Sequence, residues 1–136
     1  MMLARTLAYL FPGIDFTRDV VIQAATGIVD WRRPEPQPTP AELAAAELPA
    51  AKQFAIAANR AECSNRIYAR YPAGRQSSVA LGIYSGAEAE AQAQVMKDWI
   101  SDMVAAENAA ADAIEAVQPG PNAVAAVEAV SVSWPV

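Results

Sequence analysis

The sequence contains no histidine and a single cysteine, Cys63. The first absence removes the commonest general base and the commonest metal ligand together. The second excludes an internal disulfide framework. Lysine is scarce, with only Lys52 and Lys97, so arginine carries most of the positive charge. The cations are scattered and the net charge is −5, which disfavours a nucleic-acid partner held through its phosphates. No stretch reaches the roughly eighteen uninterrupted apolar residues of a membrane span. The opening "MMLARTLAYLFPG" has a faint signal-peptide character, but polar residues break it and no small-residue cleavage site follows. A soluble protein made in a reducing cytoplasm is expected. Gly82 and Gly86 lack the spacing, and the following Lys-Ser/Thr, of a phosphate loop. Nothing else in the chain implies a cofactor or a metal.

Large apolar side chains are sparse too. The hydrophobic fraction is 54%, yet alanine alone makes up roughly a quarter of the 136 residues. Alanine favours helix strongly and contributes little burial. The expected core is therefore thin, and a thin core in a helical chain is often completed by a partner or by a second copy.

The elements that are present follow from spacing. Leu3, Leu7 and Leu10 recur at helical intervals over residues 2–11, and Pro12-Gly13 stops that helix. Two β-prone runs, Val20–Ala24 and Ile28–Trp31, flank Thr26-Gly27 and predict a hairpin. Pro34, Pro36, Pro38 and Pro40 then alternate with Glu, Gln and Thr. Each proline fixes its own φ and extends the residue before it, which predicts a stiff strut over 34–40 that acts as a spacer. Thr39 as N-cap, Pro40 as first helical residue and Glu42 as N3 partner specify a helix start. A helix is predicted from Pro40 to about Tyr71, with Pro49 kinking or dividing it near residue 48. Phe54, Ala58, Ala61, Asn65 and Tyr68 form a 4-3-4-3 seam. A short helical piece ending at Gly86 and a second long helix over 87–117 follow. The latter's seam is Met96, Trp99, Met103, Ala106, Ala110, Ala113 and Val117. The fold class expected is mainly α: a long antiparallel helical hairpin over 41–117 with a small N-terminal α+β unit over 1–33. An extended C-terminal tail over 118–136 completes it. In that tail "SVSWPV" alternates as a strand would, and a sheet edge of the same chain or of a partner would receive it.

Catalysis without histidine would rest on Cys63 or on carboxylates. Cys63 falls on the Ile56–Ile67 face of a helix, where a thiol acts as a small hydrophobe and has no obvious base. Asp98 and Asp102 share a helix face at i,i+4 that could hold a divalent cation, but a solvated acidic face is the expected reading. No enzymatic activity is expected. Arg60, Glu62, Arg66, Arg70 and Arg75 gather near Tyr71-Pro72. A salt-laced surface is one explanation. A binding patch is the other, because arginine, tyrosine and tryptophan dominate interface energies. On that basis Trp31, Arg66, Tyr68, Tyr71, Arg75, Tyr84 and Trp134 are the candidate partner-binding residues.

The order of parts also carries a resemblance. Trp31 with Pro36, Gln37, Pro38 and Thr39, then Tyr71, Pro72, Arg75 and Gln76, then Trp99 and Ile100, are the residues that carry it, and it touches about 100 residues of the chain. In that order they resemble small tailed-bacteriophage proteins of the tail fibre assembly, or tail assembly chaperone-like, type. The resemblance implies a non-enzymatic protein that binds a phage tail fibre, adhesin or baseplate protein and promotes its folding or trimer assembly. It implies a place in the host cytoplasm during assembly, and leaves open retention in the virion tail. A helical adaptor that oligomerises through its alanine seams, unrelated to phage tails, is the competing expectation.

Overall fold

The computed structural model describes residues 2–83 and 85–136. It is mainly helical, with one two-stranded antiparallel sheet. The chain condenses into two compact units, each built from two segments. The first comprises Met1–Phe54 and Gln118–Glu128, the second Ala55–Val117 and Ala129–Val136. These divisions fall elsewhere than the strut and the helix starts do.

In the first unit, α1 (Met2–Leu10) buries Thr6 and Leu7, and Gly13 at φ 83° turns the chain out of it. Strands β1 (Val20–Gln23) and β2 (Gly27–Trp31) pair in the register Val20↔Trp31 and Gln23↔Gly27. Residues 24–26 form the turn, and Gly27 takes φ 78°. That is the short hairpin loop closed by a left-handed glycine. Val21 faces Asp30 while Ile22 faces Ile28, so Val29 is left over in a bulge and stands 52% exposed. Two strands are marginal alone, and Val20, at 1% exposure, anchors them in the unit's interior.

The proline segment is fastened to this unit. Trp31 Nε1 donates to the Glu35 carbonyl at 2.7 Å. Arg33 grips the Glu35 carboxylate at 2.7 Å and Asp19 at 3.1 Å. Pro38 is buried. Residues 34–40 thus lie inside the first unit, where their stiffness fixes a fold-back. The spacer expected from the prolines is not what the structure shows. Thr39 and Glu42 close the predicted capping box reciprocally: Thr39 N–H donates to Glu42 Oε2 at 2.8 Å, and Glu42 N–H to Thr39 Oγ1 at 3.2 Å.

Helix α2 (Pro40–Arg70) starts at that cap and continues through Pro49 without dividing. Its buried residues are Ala46, Ala50, Ala51, Cys63 and Ile67. The seam predicted on Phe54, Ala58, Ala61, Asn65 and Tyr68 is instead exposed, with Phe54 at 48% and Tyr68 at 55%. The two stripes are offset by two positions, about 200° around a helix of 3.6 residues per turn, so the expectation chose the opposite face. The first unit closes with α5 (Ala123–Glu128), which buries Ala123 and Val127 and sends Glu128 to Arg5 at 3.4 Å.

In the second unit the C-terminal part of α2 packs against α4 (Ala87–Glu115). Arg60 reaches Glu107 while Arg70 lies over Trp99, so the pair runs antiparallel. On α4 the buried positions are Met96, Met103, Glu107, Ala110 and Ile114. Ala113 is exposed, which corrects the last turns of the predicted seam; 3.6-residue geometry drifts from a strict 3-4 alternation. Between them α3 (Ala73–Ala80) ends earlier than expected, at Gly82. Gly82 has φ 69°, its N–H donates to the Val79 carbonyl and that of Ile83 to Ser78, a Schellman closure. Residues 130–136 form no strand. Trp134 packs on the core of Cys63, Ile67 and Met103 beside Trp99 and Ile100. The tail therefore sits on helices of its own chain, because a large apolar ring gains more there than at an edge of so small a sheet.

Candidate partner interface

The chemistry-bearing side chains of the second unit collect where α2 ends. The Tyr71 backbone N–H still donates to the Ile67 carbonyl at 2.8 Å, and its own carbonyl accepts from Gln76 Nε2 at 2.6 Å. Those bonds hold the Tyr71-Pro72 turn. The Tyr71 ring meets Trp99 of α4 edge-on, with centroids 5.7 Å apart. Arg70 lies over the Trp99 ring at 4.5 Å and Arg75 over Tyr71 at 5.9 Å. One helical turn back, Arg66 lies 5.2 Å from the Trp134 ring and pairs with Glu62 at 2.6 Å. Trp99 Nε1 is shielded from water and has no acceptor among the described residues. A buried donor left unpaired in this way is costly.

Beside Arg75 the surface dips into a cavity of about 200 Å³ lined by Val79, Ala89, Gln92, Ala93 and Met96. Deeper in the same unit, Glu107 is 7% exposed and takes a bond from Arg60 Nε at 3.3 Å. Burial, and then the Glu107 carboxylate, push the Cys63 thiol pKa up. A thiol held protonated in this way is a poor nucleophile.

Among the candidates from sequence, Arg66, Tyr71, Arg75 and Trp134 belong to this cluster. Tyr68 stands exposed on α2. Trp31 belongs to the first unit, where its ring meets Phe11 at 5.1 Å and its indole N–H is already engaged. Tyr84 lies outside the described residues. Arg70 and Trp99 were missed as site residues. Arg70 is one position from Tyr71, and Trp99 was assigned wholly to the seam. The two helices run antiparallel, which places Trp99 opposite residue 70; that pairing is the signal that could have found them.

Residues 3–55 match the model of a family described as XkdW protein. This is a phage-associated family, and the match is consistent with a phage protein. The matched span ends one residue beyond Phe54, where the first segment of the first compact unit ends. The XkdW likeness therefore covers α1, the hairpin, the proline fold-back and the capped start of α2. The arginine–aromatic cluster lies outside the matched span. No curated protein and no solved structure matches the chain. Among the described residues, no helix is long and apolar enough to cross a membrane.

Proposed function

We propose that this protein is a non-enzymatic phage tail component that binds a tail fibre, adhesin or baseplate protein and assists its assembly. The observation that carries this is the phage-family match, which spans nearly all of the N-terminal segment of the first compact unit. It supports a phage-related N-terminal segment that continues into a helical part outside the match. The exposed arginines and the aromatic rings of the second unit supply interface chemistry, since arginine, tyrosine and tryptophan anchor protein interfaces. The buried thiol, with its raised pKa, suits a structural role. In this reading the protein acts in the host cytoplasm during assembly, needs no cofactor, and has a protein as its partner in place of nucleic acid or a membrane.

Mass spectrometry of purified phage particles, together with co-purification from infected or induced cells, tests the proposal. Recovery of a fibre or baseplate protein with the wild-type chain is expected, and its presence in finished particles distinguishes a retained part from a departing chaperone. Absence of any tail protein from both preparations would refute the proposal. A helical adaptor that self-associates is favoured by one observation, the exposed Ala58, Ala61 and Tyr68 face of α2. Sedimentation of the purified chain as a dimer, with no tail protein bound, would decide for it.

A further inference from the structure

Arg70 and Arg75 differ from every other arginine in the chain. Arg5, Arg18, Arg32, Arg33, Arg60 and Arg66 each pair with a carboxylate. Arg70 and Arg75 contact only rings among the described residues, although acidic residues outnumber basic ones by 15 to 10. Both are exposed. A contact to an aromatic face leaves a guanidinium's N–H donors without an acceptor there, and the guanidinium fork matches a carboxylate. The rings reduce the freedom each arginine would lose on binding. Beside Arg75 lies the cavity of about 200 Å³ whose walls include Val79, Ala89, Ala93 and Met96, room for one aliphatic side chain.

We propose that the Arg70–Arg75 surface is a docking site for an acidic segment of a partner protein, with carboxylates on the two guanidinium forks and a neighbouring aliphatic side chain in the cavity. The inference deepens the tail-assembly proposal and rests on its premise that this unit engages another protein. Charge complementarity selects the partner: in a chain of net charge −5, two adjacent, unneutralised cations attract a carboxylate-bearing peptide against the background field.

The test is titration of the full-length ¹⁵N-labelled chain with a blocked Gly-Glu-Leu-Glu-Gly peptide and with its Gly-Gln-Leu-Gln-Gly counterpart. The indole N–H signal of Trp99 is followed, since that ring lies under Arg70. A saturable shift with the glutamate peptide alone is expected, weakening as salt is raised. Arg70→Gln and Arg75→Gln should each weaken binding roughly tenfold, as loss of a charge-assisted bond implies. Arg70→Lys should fall between, because it keeps the charge and loses the fork. Unchanged far-ultraviolet circular dichroism keeps these exposed-site variants interpretable. No saturable shift, or equal response to the glutamine peptide, overturns the proposal. So does an indole shift that follows protein concentration without peptide, which would place a second copy on this surface. None of those results touches the association with tail particles, which mass spectrometry reads independently.

Discussion

Replacing Trp134 with alanine should destabilise the second unit by about 3 kcal/mol. The ring is mostly buried on Cys63, Ile67 and Met103. A tryptophan side chain offers roughly 200 Å² of surface, so withdrawing about two-thirds of it or more from water removes at least about 130 Å². At about 25 cal/mol per Å² that is worth about 3 kcal/mol or slightly more. The Arg66 guanidinium, 5.2 Å from the ring, adds about 0.5 kcal/mol at an exposed site. Against a total stability of about 5–15 kcal/mol this is a large loss. It should lower the melting temperature by about 10 °C in a chain of this size. Urea unfolding followed by circular dichroism at 222 nm measures it. Tyr68→Ala, at a position 55% exposed, serves as the control and should change stability by no more than about 0.5 kcal/mol. A Trp134→Ala midpoint indistinguishable from the control would show that residues 129–136 leave the helices in solution, and the account of the tail would fail.

Three further outcomes are expected. Native Cys63 should react with iodoacetamide far more slowly than the same thiol in urea, because burial raises its pKa and closes access; labelling at the unfolded rate would contradict its burial. Thr39→Ala removes one half of the capping box and should cost about 1 kcal/mol in urea titration; an unchanged midpoint would mean that the proline fold-back alone sets the start of α2. Acid should weaken the first unit: hydrogen bonds from Thr17 hold Asp15 below its ordinary value, the Asp15 N–H does so for Asp19, and Arg33 for Glu35. A carboxyl group with a lowered folded pKa adds stability that is present above its unfolded value and lost as pH falls through the folded one. Thermal melts should therefore decline as pH drops below about 4.5 and 3.8, the ordinary glutamate and aspartate values, and a flat profile from pH 5 to 3 would refute the pairing.

Elements that depend on local chemistry were legible in the sequence. The hairpin around Gly27, the Thr39–Glu42 cap and both long helices lie within a residue or two of their expected places, since turn, cap and periodicity are written into neighbouring residues. The packing face of α2 was not legible. Alanine occupies positions all around that helix, so the apolar signal is nearly flat, and Phe54 and Tyr68 tipped the choice to the wrong side. Arg5 lies 4.0 Å from the Phe54 ring, which lets that ring remain partly in water. The fold-back of residues 34–40 depends on Asp19 and on burial of Pro38, neither of which local spacing reveals. For the site, the concentration of arginine and tyrosine near residue 71 was visible. The division between neutralised and unneutralised arginines was not, because it depends on which carboxylates the fold brings near.

Both compact units are discontinuous in sequence, and that has a consequence for biosynthesis. The first requires residues 118–128 and the second requires 129–136. A chain leaving the ribosome from its N-terminus can form α1, the hairpin and parts of the helices, yet it can complete neither unit until residues beyond 118 have emerged. The usual sequence, in which an N-terminal domain folds while the next is still being made, is closed to it. During translation the apolar side chains of Cys63, Ile67 and Met103 wait without the Trp134 ring that finally packs on them. Nascent-chain force profiles should show their tension late, when residues 118–136 clear the exit tunnel.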